Sequence, residues 1–132
     1  MLQGFQSKIA EVVTADGRHF KLCRAIYYLA VDGTIYVIPI GSGTDGASTP
    51  AAIWPALPPF GDYWLAAVLH DAAYRNTLQY PDGTPCALTK EACDDLFKEA
   101  MDSLGVNDDI TATLYEGVKY GGWKSFRADR GE

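Results

Sequence analysis

Residues 1–40 carry the turn signals and the hydrophobic runs of β-strands. Asp16–Gly17 and Asp32–Gly33 are dipeptides typical of hairpin turns. The runs from His19 to Leu29 and from Thr34 to Ile40 are rich in the β-branched and aromatic residues that favour strands. Together with the run from Lys8 to Thr14, they predict a three-stranded antiparallel meander.

Residues 41–61 predict a loop that packs back onto the core. The stretch from Gly41 to Pro50 is small, polar and glycine-rich, and further prolines follow it. Four large apolar residues lie in the same segment: Ile53, Trp54, Leu57 and Phe60. A solvated linker would not carry such side chains, because their exposure to water is unfavourable.

The remainder of the chain predicts about three helices. The first covers about 62–76, and Asp62 is its predicted N-cap. The second covers about 90–104, where apolar residues recur at helical spacing, and Thr89 is its predicted N-cap. The third covers about 108–122 and fades at a pair of glycines.

These elements predict an α+β protein, with an N-terminal meander, a packed Gly/Pro-rich loop and then the helices. A chain of 132 residues suits one globular domain, which we place at residues 1–126, with a frayed tail at 127–132. Hydrophobic residues make up 48% of the chain and charged residues 21%, so wholesale disorder is excluded.

The charge balance excludes one broad class of function. Eleven basic and seventeen acidic residues give a formal net charge of −6, which argues against general binding of nucleic acid or anionic membranes. No apolar run is long enough to span a membrane, and residues 1–8 lack the pattern of a signal peptide.

Cysteine and histidine are too few for the common soft-metal sites. Cys23, Cys86 and Cys93 include no CxxC pair, so free thiols in a reducing compartment are expected. With only His19 and His70 available, any metal would depend on oxygen ligands.

The first predicted helix contains an adjacent imidazole and carboxylate, His70 and Asp71, in an unusually apolar setting. Tyr74 lies one turn after His70 and so shares its face, whereas Asp71 points about 100° away. Asp94, at the edge of the apolar stripe of the second helix, is placed to reach His70 or Asp71 if the two helices pack together. A carboxylate bonded to one ring nitrogen would leave the other free to act as a base.

A third group of candidate residues lies in the glycine-rich loop. Thr44, Asp45 and Ser48 surround a glycine that permits a sharp turn with exposed amides. Asp45 is a candidate metal ligand, with Asp71 as a second. Ser48 is a candidate nucleophile only if a base lies near it, and the sequence lacks the G-x-S-x-G elbow.

Each candidate also has a purely structural interpretation. A half-buried histidine such as His70 is more often a hydrogen-bonded core residue than a catalyst. Asp94 can cap a turn or hold an arginine, and Asp45 can belong to an Asx-turn. The coincidence of His70, Asp71 and Asp94 beside apolar helical faces favours function, because unpaired charge is costly there.

Three motifs together resemble a bacteriophage and prophage family, domain-of-unknown-function family 1353. They are T-D-G-A-S-x-P at residues 44–50, H-D-x-x-Y at residues 70–74 and D-x-x-F-x-x-A-M at residues 94–101. The resemblance covers roughly residues 37–123. Two departures are Ala51, where the family often has arginine, and Cys93, where it commonly has alanine.

The resemblance implies a phage-encoded protein made in the cytoplasm of the bacterial host, with other phage proteins as partners, but it supplies no activity. The H-D-x-x-Y motif is also similar to the helical His-Asp pair of secreted phospholipases, in which the histidine activates water and the aspartate binds calcium. A divalent cation such as calcium is therefore a candidate cofactor.

Three hypotheses follow, of which the third is a non-virion accessory protein that binds a host factor. In the first, the protein is a virion component of the tail or tail tip, and the polar residues are a buried network. In the second, it is a small hydrolase acting on peptidoglycan, lipid or another envelope component. His70 would then be the general base, Asp94 and Asp71 would complete the catalytic set, and Thr44, Asp45, Ser48 and Tyr74 would bind or orient. A sealed His70 would argue against direct catalysis.

Overall fold

The computed structural model describes residues 2–7, 11–13, 20–44 and 63–131, and this part of the chain has the predicted α+β architecture. Within these described residues, two small antiparallel sheets are followed by four helices. The strands are β1 (Gly4–Phe5), β2 (Val12–Val13), β3 (Phe20–Leu22), β4 (Ile26–Leu29), β5 (Ile35–Ile38) and β6 (Gly43–Thr44). The sheet orders are β1-β4-β5 and β2-β3-β6.

The run from His19 to Leu29 divides between the two sheets instead of forming one long strand. β3 ends at Leu22, and the backbone N–H of Cys23 donates to the carbonyl of Glu11 at 2.8 Å. After this break β4 pairs with β5, with Tyr28 opposite Tyr36. Residue composition does not reveal such a division, because each half of the run has the same preference for strand and only long-range pairing separates them.

The helices in the described part of the chain are α1 (Trp64–Tyr74), α2 (Lys90–Ser103), α3 (Asp108–Gly121) and α4 (Trp123–Asp129). The cap predicted for α2 is confirmed, because the Thr89 side chain accepts a hydrogen bond from Ala92 N–H at 3.2 Å. Asn107 caps α3 in the same way. Asp62 lies outside the described residues, and the cap residue of α1 is Tyr63, whose side chain makes no capping hydrogen bond.

Helix α4 is absent from the elements that the sequence predicts, and the tail expected from Arg127 begins inside it. The Arg130 guanidinium donates to the carbonyl oxygens of Tyr74 at 2.7 Å, Ala73 at 2.9 Å and Leu88 at 2.8 Å. The last carbonyls of a helix have no partner within it, so this arginine satisfies the C-terminal end of α1.

The core lies around α2, which packs against α1 on one side and α3 on another. Its largest fully buried side chains include Tyr28, Tyr74, Phe97, Leu69 and Met101. In α1 every residue after Trp64 is buried, so polar side chains within it are enclosed by protein. No helix in the described part of the chain is long and apolar enough to cross a membrane.

Candidate functional site

Asp94 is the centre of a buried hydrogen-bond network that joins three helices. Its Oδ1 lies 2.8 Å from His70 Nε2 and accepts a hydrogen bond from the Tyr74 hydroxyl at 2.7 Å, both on α1. Its Oδ2 accepts from Lys90 Nζ at 2.7 Å, one turn earlier on α2. The sequence predicts a contact of Asp94 with His70 or with Asp71, and the contact with His70 is present.

Lys90 extends the network to α3. Its ammonium group also donates to the carbonyl oxygens of Val118 at 2.8 Å and Lys119 at 3.2 Å. These carbonyls belong to the last turn of α3, where the helix dipole favours a cation. Lys90 has three N–H groups and three acceptors, so a lysine that is only 3% exposed is fully satisfied.

The imidazole of His70 is sealed from solvent, with a side-chain exposure of 0%. Its ring packs against Tyr74 and Phe97, with centroid separations of 4.1 and 4.7 Å. Because Nε2 faces a carboxylate, we assign the ring hydrogen to Nε2. Nδ1 then presents a lone pair, and it has no hydrogen-bond partner among the residues that the structure describes.

Burial determines the charge state of the histidine. Removal from water lowers the pKa of His70, and the hydrogen bond and charge of Asp94 only partly oppose this effect. The ring is therefore neutral at pH 7, and it donates to Asp94 without adding a second positive charge beside Lys90.

The carboxyl group of Asp94 is ionised. Burial by itself acts to raise the pKa of Asp94, but hydrogen bonds from His70, Lys90 and Tyr74 outweigh it and hold the pKa below its ordinary value. Burial and the neighbouring carboxylate raise the pKa of the Tyr74 hydroxyl, which stays protonated. The network thus contains one ammonium and one carboxylate, with two neutral donors.

The remaining candidate residues are Asp71 on α1 and three residues of the glycine-rich loop, Thr44, Asp45 and Ser48. Asp71 is buried on α1 at 3% exposure, next to His70, but the hydrogen bonds at Asp94 come from the three residues named above. Thr44 lies in β6, opposite Phe20 of β3. Asp45 and Ser48 lie outside the described residues, as does most of the loop predicted to pack on the core.

A cation site is not assembled by the residues that the structure describes. No group of three or more histidine, cysteine, aspartate or glutamate side chains among them is arranged to hold a metal ion. The pair predicted as metal ligands, Asp45 and Asp71, includes one residue outside that part of the chain, so the metal role stays a prediction.

The three cysteines are free thiols, as predicted. Burial raises the pKa of Cys86 to about 11 and that of Cys93, beside Asp94, to about 12. Both thiols are protonated at neutral pH, and a protonated, buried thiol is a poor nucleophile.

The sequence predictions omit two residues that determine the network: Lys90, which belongs to its hydrogen bonds, and Gly122, which packs against it. The sequence could have predicted the contact of Lys90, because Lys90 precedes Asp94 by four residues and the two therefore share a helix face. No pattern in the sequence predicts the role of Gly122, which lies between α3 and α4. A Cβ atom at Gly122 would lie 2.6 Å from the Tyr74 hydroxyl oxygen and 2.5 Å from the Val118 carbonyl oxygen, so only glycine fits there.

Lys90 and Asp94 also contribute to the lining of a cleft between α2 and the α3–α4 segment, with a volume of about 450 Å³. The remaining lining residues are aromatic or charged: Glu91, Asp95, Tyr115, Lys119, Tyr120 and Trp123. The cleft therefore has an aromatic wall on α3 and α4 and a carboxylate wall on α2.

Residues 20–118 match the family described as Protein of unknown function (DUF1353). The chain belongs to the DUF1353 family. Neither a curated protein nor a solved structure matches this DUF1353 protein. The matched region begins at β3 and includes α1, α2 and nearly all of α3, so His70, Lys90 and Asp94 lie inside it, whereas Gly122 and α4 lie beyond it.

Proposed function

We propose that this DUF1353 protein is a phage-encoded virion component, associated with the tail or tail tip, in which the His70–Asp94 network holds the helices together. The observation that carries the structural role is the enclosure of His70, whose side chain is 0% exposed. A general base must come within hydrogen-bond reach of the proton that it removes. A ring that solvent does not reach, with Nε2 hydrogen-bonded to Asp94, therefore fits a structural role better than a catalytic one.

The energetics of Asp94 support the same role. Removing one partner from a buried charge pair typically costs about 3–5 kcal/mol, because the remaining charge is left uncompensated. Asp94 avoids this cost through donors from α1 and α2, and Lys90 in turn binds the end of α3. The network therefore makes the docking of three helices interdependent.

Two observations support virion association. The motifs resemble a family found in phages and prophages, and several aromatic side chains are exposed on the described surface. Tyr120 is 75% exposed, Tyr27 46% and Trp123 42%. Aromatic residues are enriched at protein interfaces, so such side chains suit contacts with other phage proteins.

Particle fractionation tests the virion proposal. Phage particles that encode this chain would be purified on a density gradient and probed for it, with a known structural protein and a non-virion enzyme as references. We expect the chain to cofractionate with infectious particles at a constant ratio. Its recovery in the lysate alone would refute the virion assignment.

One observation favours the hydrolase alternative. Nδ1 of His70 has no hydrogen-bond partner among the described residues. A neutral imidazole with one nitrogen bonded to a carboxylate and the other unbonded is the arrangement of a general base. In this alternative Asp94 orients the ring, while Asp45 and Asp71 hold a divalent cation such as calcium. The substrate is an envelope component, either peptidoglycan or lipid.

His70→Gln separates the two functions. Glutamine offers an amide N–H in place of ring Nε2 but has no counterpart of Nδ1, so it keeps the donor to Asp94 and removes the base. Wild type and variant would be assayed on purified peptidoglycan and on phospholipid vesicles, with and without calcium. An activity that the folded variant lacks would establish the hydrolase. We expect no activity from either protein.

A further inference from the structure

We propose that the cleft between α2 and the α3–α4 segment binds a neutral saccharide, a mono- or disaccharide unit of a glycan chain. This proposal does not require the function proposed above, although both use the exposed rings of Tyr120 and Trp123, because it follows from the side chains that line the cleft. The cleft volume of about 450 Å³ lies within the range of about 300–1,000 Å³ that is typical of small-molecule sites.

The aromatic wall supplies the stacking surface. Tyr115 and Tyr120 on α3 and Trp123 on α4 line the same cleft. Tyr120 is 75% exposed and Trp123 42% exposed, so large parts of both rings face solvent. The C–H faces of a pyranose ring are apolar, and they pack on an aromatic ring in the way that other apolar groups do.

Lysine and arginine side chains of the protein already lie close to these rings. Lys119 Nζ lies 5.7 Å from the Tyr115 ring centroid and 5.5 Å from that of Tyr120. Lys90 Nζ and Arg127 Cζ lie 5.0 and 5.3 Å from the Trp123 ring centroid. A cationic ligand that stacked on these rings would meet like charge at each of them, so the aromatic wall does not suit a quaternary ammonium or a basic peptide.

The opposite wall disfavours an anionic ligand. Glu91 and Asp95 are exposed carboxylates on α2, and Asp94 lies between them in the sequence. A phosphate or carboxylate in the cleft would face these groups, and the ammonium of Lys90 is already saturated by Asp94 and two carbonyls. A ligand of either sign thus meets like charge on one of the two walls, which favours a neutral polar ligand.

The polar groups at the rim match sugar hydroxyls. The carboxylates of Glu91 and Asp95 are hydrogen-bond acceptors, and the ammonium of Lys119 is a donor. The Tyr115 hydroxyl donates to Asp95 Oδ1 at 2.8 Å, which holds one acceptor in place against the aromatic wall. A hydroxyl group both donates and accepts, so a polyol can use all three groups while its ring stacks on Tyr120.

Amide chemical-shift titration of the full chain tests the proposal. The probes are N,N′-diacetylchitobiose and maltose as neutral disaccharides, choline as a cation and methyl phosphate as an anion. We expect at least one disaccharide to produce saturable shifts centred on residues of α2 and α3 that line the cleft. Choline and methyl phosphate should produce none there. The absence of saturable shifts with both disaccharides, or tighter binding of a charged probe, would overturn the proposal.

Variants of exposed tyrosines locate the binding surface. Tyr120→Ala removes a ring that is mostly exposed, and we expect the dissociation constant to rise at least about fivefold through the loss of one stacking surface. Tyr120→Phe keeps the ring and should bind within about twofold of wild type, since the stacked face is unchanged. Tyr27→Ala removes another exposed ring, on β4, and should leave binding unchanged. Equal affinity of Tyr120→Ala and wild type would place the ligand elsewhere and refute the proposal.

Discussion

Gly122 and Tyr74 approach each other so closely that the backbone leaves no room for a side chain. A Cβ atom on Gly122 would lie 2.6 Å from the Tyr74 hydroxyl oxygen, the same group that donates to Asp94 at 2.7 Å. The junction between α3 and α4 therefore restricts the position of a donor on α1. The His70–Asp94 network thus depends on a residue that belongs to none of its hydrogen bonds.

Gly122→Ala should destabilise the protein through this contact. We expect the free energy of unfolding to fall by about 1–3 kcal/mol, the usual cost of overpacking, since either Tyr74 or the α3–α4 junction must shift. Urea denaturation followed by circular dichroism measures the change. Gly121→Ala is the control, because Gly121 is exposed at the end of α3 and alanine favours helix there. Equal stability of the two variants would refute the close-contact argument.

Breaking the buried pair Lys90–Asp94 should lower the free energy of unfolding far more than breaking an exposed pair with the same spacing. Lys90→Met leaves the Asp94 charge without its ammonium, and we expect a loss of about 3–5 kcal/mol in the free energy of unfolding. The same helix supplies the control: Lys98 and Asp102 are also four residues apart, at 3.2 Å, but their side chains are 50% and 49% exposed.

Lys98→Met should cost less than about 1 kcal/mol, because solvent screens an exposed pair. Chemical denaturation of both variants at equal ionic strength gives the comparison. Similar losses in the two would show that burial of Lys90 does not amplify its interaction.

His70 should make the protein less stable as the pH falls below 6.5, the ordinary pKa of histidine. Its pKa is lowered in the folded state, so below 6.5 the unfolded chain binds a proton that the folded chain does not. Stability is then lost as the pH decreases through the window between 6.5 and the lowered pKa. The lowered pKa of Asp94 extends the loss to more acid pH.

His70→Gln isolates the contribution of the histidine. The free energy of unfolding would be measured from pH 7.5 to pH 5.5 for wild type and variant. The difference between their slopes removes the effect of Asp129, whose raised pKa changes stability with pH in the opposite direction. Parallel curves would show that His70 titrates normally and contradict its enclosure.

Arg130 should hold the C-terminal end of α1 in place. Arg130→Ala removes donors to three carbonyls, and we expect a loss of about 1–3 kcal/mol together with faster amide hydrogen exchange in the last turn of α1. Arg127→Ala is the control, since Arg127 is exposed on α4 and contacts the ring of Trp123. Unchanged exchange in Arg130→Ala would mean that residues after 126 form a tail, as the sequence suggested.

Local signals determined much of the helical region. The boundaries of α2 could be predicted because Thr89 caps its first turn and apolar residues repeat at helical spacing up to Gly105. The same periodicity placed His70 and Asp94 beside apolar faces, which made their contact predictable once the helices packed. These signals lie within one or two helical turns, so sequence alone carries them.

Only the tertiary structure determined the sheet topology and the surroundings of His70. The division of residues 19–29 between two sheets depends on pairing with distant strands, and the role of Lys90 depends on carbonyls at the end of α3. The enclosure of His70 likewise depends on packing by other segments. The sequence could place a histidine beside a carboxylate, but whether that pair faces a substrate or is sealed follows from long-range packing, because burial is a property of the assembled chain.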